Sequence, residues 1–237
     1  LTYTYRYDGS SNFGPDNRWA GFHSAAASWK FTNEDFLQDI KGVLSNGKIR
    51  IGWGQTGNAN IGGYAWGAAI SSMPSAFGPG YRPANIPNTA VRWEKQQQIN
   101  IGIDLGFLEN KYNVTVDFYN KVSSDMLMSM QLPSYMGTQG NGSSALSAPK
   151  GNYGTIQNSG IEFTFDAHPV TLSNFSWDTN FQISFNRNKI VSINPDGLEK
   201  DYIYLSPGNQ QLVSFFNGDD IGNGSVLKSF LNIFIER

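Results

Sequence analysis

The feature that most constrains this chain is an alternation of side-chain character with a period of two, sustained over unusually long segments. Successive side chains of a strand point to opposite faces, so each segment presents one apolar and one polar surface. Leu1, Tyr3, Tyr5 and Tyr7 share one face, with Thr2, Thr4, Arg6 and Asp8 on the other. His23, Ala25, Ala27, Trp29 and Phe31 then alternate with Phe22, Ser24, Ala26, Ser28 and Lys30, and Ile49, Ile51 and Trp53 with Lys48, Arg50, Gly52 and Gly54. In the longest segment Trp93, Gln97, Ile99, Ile101, Ile103, Leu105 and Phe107 oppose Glu94, Gln96, Gln98, Asn100, Gly102, Asp104 and Gly106. A fifth sets Val114, Val116 and Phe118 against Asn113, Thr115, Asp117 and Tyr119, and a sixth sets Ile161, Phe163, Phe165 and Ala167 against Glu162, Thr164, Asp166 and His168. Phe175, Trp177, Phe181, Ile183 and Phe185 form a seventh apolar face, and an eighth segment runs near Leu227 to Ile235.

Each segment is about 8 to 14 residues long, against about 5 or 6 for a common globular strand and roughly 9 to 11 for a tilted strand crossing a bilayer. A soluble β-sandwich also alternates, so the connections carry the distinction. Turns are tight at Glu109-Asn110-Lys111 and from Pro169 to Asn174. The connection after the second segment reads Thr32-Asn33-Glu34-Asp35 followed by Phe36, Leu37 and Ile40, a capping-box pattern that predicts a short helix. The other connections are long and rich in Gly, Asn, Ser and Pro: Gly9 to Ala20, Thr56 to Arg92, Val122 to Asn158, and Arg187 to about Val226. Structureless loops of that length are uncommon in compact soluble domains. Short turns on one side and long loops on the other is the pattern of outer-membrane barrels, and Trp29, Phe31, Phe107, Phe175 and Trp177 fall where an aromatic girdle sits near the short turns. In a soluble sandwich the same aromatics would be core.

Composition narrows the chemistry. Of 237 residues none is cysteine, which removes a disulfide framework, a thiolate metal site and a cysteine nucleophile. Charged residues are 15% and aromatic ones 14%, where an ordinary soluble domain has about 25% charged. A net charge of −2 leaves no basic excess to displace counterions from a phosphate backbone, so nucleic acid is not an expected partner. Mean hydropathy is −0.37 and no apolar run approaches the length of a membrane-spanning helix, which leaves a β-barrel open. The opening at Leu1, already inside an alternating segment, reads as an excerpt from a longer protein.

The blocks Tyr5-Arg6-Tyr7-Asp8-Gly9-Ser10-Ser11-Asn12-Phe13-Gly14, Arg18-Trp19-Ala20-Gly21-Phe22 and Lys48-Ile49-Arg50-Ile51-Gly52-Trp53-Gly54-Gln55-Thr56-Gly57-Asn58 occur in that order. They are followed by Val91-Arg92-Trp93-Glu94-Lys95, Val116-Asp117-Phe118-Tyr119, Asn158-Ser159-Gly160-Ile161-Glu162 and Phe185-Asn186-Arg187-Asn188-Lys189-Ile190. Together they resemble the barrel region of the SusC/RagA TonB-linked outer-membrane transporters of the Bacteroidetes. The resemblance implies an all-β fold: about eight antiparallel transmembrane strands of a barrel of about 22, with short periplasmic turns and long extracellular loops. Residues 1–237 would all belong to that one barrel domain, with the plug and remaining strands elsewhere. It further implies uptake of a large nutrient, glycan or peptide, with a SusD-like surface lipoprotein as lid. Other implied partners are the TonB complex acting through the plug, the lipid bilayer and lipopolysaccharide. No cofactor and no catalytic residue are implied.

Candidate sites follow. Gly52-Trp53-Gly54-Gln55-Thr56-Gly57 matches the dinucleotide fingerprint, but the residues after it make a poor helix, and the chemistry needs a helix N-terminus. His23 and His168 belong to no metal-binding pair and no nucleophile elbow is present; the groups Asp8/Asp16 and Asp219/Asp220/Asn223 could hold calcium through oxygen ligands, but without EF-hand spacing they read better as solvated turns, so no metal is expected. In the long loops Tyr64, Trp66, Phe77, Tyr81, Tyr135 and Tyr153 either bind substrate, by stacking on sugars or gripping a peptide, or pack the loops together. Arg6, Asp8, Lys30, Lys48, Arg50, Glu94, Asp104, Asp117 and Glu162 would line the lumen or face the plug, or simply solvate a polar interior. Two rival functions are a soluble secreted carbohydrate-binding β domain and a passive porin-like barrel.

Overall fold

The computed structural model describes residues 1–40, 42–129, 146–172, 175–192, 200–204, 212–216 and 226–236. In chain order its strands are β1 (Thr2–Gly9), β2 (Trp19–Trp29), β3 (Leu44–Asn58), β4 (Ile70–Ser75), β5 (Gly78–Pro83), β6 (Glu94–Phe107) and β7 (Tyr112–Ser124). There follow β8 (Leu127–Ser129), β9 (Lys150–Asn152), β10 (Thr155–Leu172), β11 (Phe175–Ser192), β12 (Lys200–Tyr204), β13 (Leu212–Phe216) and β14 (Val226–Glu236). Eight of them make one sheet in the order β1-β2-β3-β6-β7-β10-β11-β14, with every neighbour antiparallel. The sheet is open, with β1 and β14 at its edges.

The alternation and the pairing agree along its whole width. Ala27 pairs with Ile51, and that row continues through Ile101, Phe118, Ile161, Phe185 and Leu227. The neighbouring row runs Trp29, Ile49, Ile103, Val116, Phe163 and Ile183. A slip of one residue in any pair would send a strand's apolar set to the wrong face, so the pattern itself pins the register.

The same rows give the tilt of the strands. Trp29 ends β2, yet its partner across the sheet, Ile183, lies eight residues inside β11 from the first residue, Phe175. That drift accumulates over five strand intervals. With about 3.3 Å per residue and about 4.8 Å between strands it corresponds to an inclination of roughly 45–50°, close to the strand tilt of a closed barrel.

At the short-turn end the connections are tied to one another. Leu108, Glu109 and Asn110 all adopt positive φ (50°, 58° and 61°), which reverses the chain tightly between β6 and β7. The Leu108 and Glu109 amides donate to Val43 O and Ser45 Oγ at 3.0 and 2.6 Å, and Lys111 O accepts the His168 amide at 2.7 Å. The helix expected from Thr32 is instead two 3₁₀ turns, Phe31–Asn33 and Asp35–Ile40. Thr32 caps neither of them. Its buried hydroxyl accepts the Gly47 amide at 3.2 Å, so β3 takes the oxygen that a helix N-terminus would have used. The turn expected from Pro169 starts later. β10 runs on to Leu172 with a register shift between Ala167 and Val170, and Pro169, which has no N–H to donate, sits at that irregularity.

The long connections from β3 to β6, β7 to β10 and β11 to β14 each carry a two-stranded hairpin, β4–β5, β8–β9 and β12–β13. At the long-loop end lies a small core of Phe13, Phe22, Ile61, Val91 and Trp93, against which Trp66 and Leu127 also pack. Trp93, expected on the apolar face of the fourth segment, lies one residue ahead of β6. Its ring packs on Phe13 and Phe22 at 5.3 and 5.7 Å, and its Nε1 donates to Arg18 O at 3.1 Å. Phe22 reaches this core because it faces the polar side of β2, opposite Arg6. Gly57 faces the Phe22 ring, and a Cβ there would also come within 2.8 Å of Trp93.

Phe13 is fully buried, and Phe13→Ala should cost about 3 kcal/mol of local stability. Limited proteolysis of cells displaying the full-length protein should then cut the long loops faster while leaving the strands protected.

Candidate functional site

The polar face of the sheet is concave and built from the same register as the apolar one. The row nearest the short turns reads Asn46, Gly106, Asn113, Asp166 and Asn180, and in the row after it Lys48 pairs with Asp104 and Asp104 with Thr115. The next row is Arg50, Gly102, Asp117, Glu162 and Ser184. Gly102 has no side chain, and across that notch the Arg50 guanidinium reaches two strands. Its Nε and Nη2 donate to Asp104 at 2.8 Å each, and Nη2 also donates to Asp117 Oδ1 at 2.9 Å. Thr115 Oγ1 donates to Asp104 Oδ1 at 3.3 Å. A Cβ on residue 102 would collide with Asp117 Oδ1 and come within 2.7 Å of Arg50 Nη2, so with any other residue there the ion bridge would have to shift.

The two rows nearer the long loops change character. One reads Gly52, Asn100, Tyr119, Gly160 and Asn186, the other Gly54, Gln98, Lys121, Asn158 and Asn188. The Tyr119 hydroxyl donates to Asn186 Oδ1 at 2.6 Å, and Gln98 Nε2 donates to Asn100 Oδ1 at 2.8 Å.

Of the nine polar residues singled out in the sequence, Lys48, Arg50, Asp104, Asp117 and Glu162 meet in this wall. The others lie elsewhere. Arg6 pairs with Asp8 at 2.8 Å and lies over the Phe22 ring at 5.8 Å. Lys30 is exposed beside the short 3₁₀ turns. Glu94 Oε2 accepts the Leu127 amide at 3.2 Å at the foot of the loops. Among the loop aromatics, Tyr64 and Tyr81 are 71% exposed, whereas Trp66 packs on the loop core. Tyr153 follows β9, with its amide donating to Met126 O at 2.8 Å. Tyr135 lies outside the described residues. Sequence reasoning missed the glycine notch, because which side chains converge above a glycine depends on partners two strands away.

The opposite face is apolar and exposed. Ile51, Ile101, Phe118, Ile161 and Phe185, consecutive partners in one row, are each 40–49% exposed. A continuous apolar row of this extent has to be covered by something other than water. Trp29, packed edge-on against Phe31 at 6.0 Å, and Trp177 mark the short-turn rim of this face. Tyr7 stacked on Trp19 at 5.4 Å marks the long-loop rim. An apolar band between two aromatic girdles, around a polar interior, is the surface of a transmembrane barrel.

Residues 1–222 match the family model described as TonB dependent receptor-like, beta-barrel. This chain belongs to that family. It is 36% identical over 220 residues to the TonB-dependent receptor SusC of Bacteroides thetaiotaomicron, covering 89% of this chain and 21% of that protein. It is 32% identical over 230 residues to the TonB-dependent receptor P3 of Formosa agariphila, covering 94% of this chain and 22% of that one. Among solved structures, the RagAB peptide transporter matches with a TM-score of 0.76 and 25% identity over 91% of this chain and 22% of that chain. The RagAB peptide importer in its open-open state matches with the same TM-score at 26% identity over 92% of this chain. The chain therefore spans about a fifth of the length of these relatives. It is a stretch of a SusC/RagA-type TonB-dependent receptor barrel, a family of receptors and transporters rather than enzymes.

With the faces assigned, substitutions on adjacent residues should behave oppositely. Ile101→Arg, toward lipid, should cost about 2–4 kcal/mol if Ile101 lies near the midplane, and Asn100→Arg, toward the lumen, little. Urea titration of the refolded full-length barrel in lipid vesicles reads both, and equal losses would refute the facing.

Proposed function

We propose that the whole protein is an outer-membrane, multi-pass β-barrel that imports a large nutrient, glycan or peptide, without chemistry on the cargo. Energy comes from TonB through a plug outside this chain, and a SusD-like lipoprotein closes the extracellular mouth. Residues 1–237 are part of that one barrel domain. The observation that carries the reading is an inward wall of paired charges on a sheet whose other face is an exposed apolar band, in a chain of the TonB-dependent receptor family. Its structural relatives include a peptide transporter and a peptide importer, which supports a cargo of that size class.

Each part of the chain has a role in this scheme. Lys48, Arg50, Asp104, Asp117 and Glu162 face the plug, and Arg6, Asp8, Lys30 and Glu94 complete the polar lining toward the two ends. Tyr64, Trp66, Tyr81, Tyr135 and Tyr153 meet substrate or lid, with Tyr64 and Tyr81 the most exposed of those described. On the outward face Lys95, Arg187 and Lys189 follow the apolar band toward the long loops, where lipopolysaccharide presents its phosphates. The soluble carbohydrate-binding alternative would need a protein cover for the row from Ile51 to Phe185. A passive porin would need no TonB.

Uptake of the cargo by intact cells tests the scheme. Deleting the TonB gene should abolish it, and deleting the partner lipoprotein gene should reduce it severely. Uptake that persists without TonB would identify a passive pore instead.

A further inference from the structure

The β8–β9 hairpin is set apart from the two strands that carry it. Between β7 and β8 Asp125 takes a φ of 55°, and between β9 and β10 Gly154 takes one of 76°. Ser124 and Thr155 are the last pair of the main sheet at this point, and pairing resumes only at Leu127 and Asn152. Two left-handed residues on facing chains thus turn the hairpin out of the β7–β10 ladder. What fixes its position lies on the connection from β3 to β6. Asn152 meets Arg92 as a neighbouring strand would: its Oδ1 accepts the Arg92 amide at 2.8 Å and its Nδ2 donates to Arg92 O at 2.7 Å. The same Nδ2 donates to Asp125 O at 2.9 Å, and Arg92 Nη2 donates to Asp125 Oδ1 at 2.7 Å. Farther along, Asn88 Nδ2 donates to Lys150 O at 2.7 Å. Ser147 forms a parallel bridge with Asn85, and its amide donates to Ala84 O at 2.9 Å. Asn85 in turn closes the base of the β4–β5 hairpin, accepting the Ala69 amide at 2.7 Å and donating to Gly67 O at 2.8 Å.

We propose that the β4–β5 and β8–β9 hairpins form one mechanical unit at the long-loop end, with Asn85 and Asn152 as its coupling residues. The hydrogen bonds run without a break from the base of one hairpin to the base of the other, so a displacement imposed on either is carried to both. Only the main-chain amide of Asn152 could be replaced by another residue's; its side chain needs an acceptor and a donor at once, which Asn supplies at this length and Asp does not. Phe77 and Tyr81, exposed on the first hairpin, and Tyr64, whose carbonyl accepts the Gly67 amide at 3.0 Å, therefore share a body with Tyr153 beside the second hairpin. A contact made by any of these aromatics shifts the equilibrium position of two loops that lie far apart in sequence. This coupling stands whether or not the import reading holds, because it depends on bonds between the two connections and on no cargo.

Hydrogen–deuterium exchange on the purified full-length protein tests the coupling by perturbing one connection and reading the other. The bonds of the Asn85 side chain are to its own connection, at Gly67 and Ala69. Asn85→Ala should nonetheless speed exchange about five- to tenfold at residues 147–152 as well as at residues 67–85, the effect of losing roughly one hydrogen bond from a unit that opens together. Loops that open independently would show the change at 67–85 alone, and exchange at 147–152 that stays at its native rate overturns the proposal. Asn152→Ala gives the reverse reading and serves if the first variant fails to assemble. Exchange at 67–85 should then rise together with that at 147–152, and a rise confined to 147–152 refutes the unit. The mobility of the unheated barrel on gels checks that each variant has assembled.

Discussion

The structure depends on one continuous antiparallel ladder. Every strand of the main sheet is paired with its neighbours through backbone hydrogen bonds, and a chain facing lipid has no alternative, because hydrocarbon offers those groups no partner. Since side chains alternate along each strand, the ladder also couples the two faces. The register that lines up Ile51, Ile101, Phe118, Ile161 and Phe185 on one side lines up Arg50, Gly102, Asp117, Glu162 and Ser184 on the other. Strand tilt enters the same way: the drift from the end of β2 to the start of β11 carries the apolar band obliquely across the sheet, as a barrel wall requires.

Magnitudes separate what holds this wall together from what it is for. The ion pairs of Arg50 are partly exposed, and such pairs contribute about 0.2–1 kcal/mol each. A misplaced charge on the outward face costs about 2–4 kcal/mol near the midplane. Facing is therefore enforced by the apolar side, while the inward charges add little to stability. Their arrangement depends on a glycine notch that lets one guanidinium serve two carboxylates.

The long-loop end follows a different logic. Loops of such length would be loose if they were only polar, but Phe13, Phe22, Ile61, Val91 and Trp93 bury together at their base and Asn12 Nδ2 donates to Ala59 O at 2.9 Å across them. The β1–β2 loop, the β3–β4 loop and the entry to β6 are thus fixed to one another, while Tyr64, Phe77 and Tyr81 stay exposed beyond that base. Aromatics of the same chemical type have divided into structural and exposed ones according to whether a buried neighbour was within reach.

The period-two pattern marked the strands and their two faces, because those are local properties of a strand, and the lengths and composition of the connections, also legible in the sequence, separated a barrel from a sandwich. It also named Arg50, Asp104, Asp117 and Glu162 as one inward set. Only the tertiary structure decided what required partners distant in sequence. Thr32 bonds Gly47 rather than capping a helix, Pro169 sits at a register shift inside β10, and Trp93 leaves the apolar face for the loop core. The glycine notch under Arg50 belongs to the same group, since it depends on which residues of separate strands come into register. A strand's own residues say which way its side chains point, and only its neighbours say what they meet.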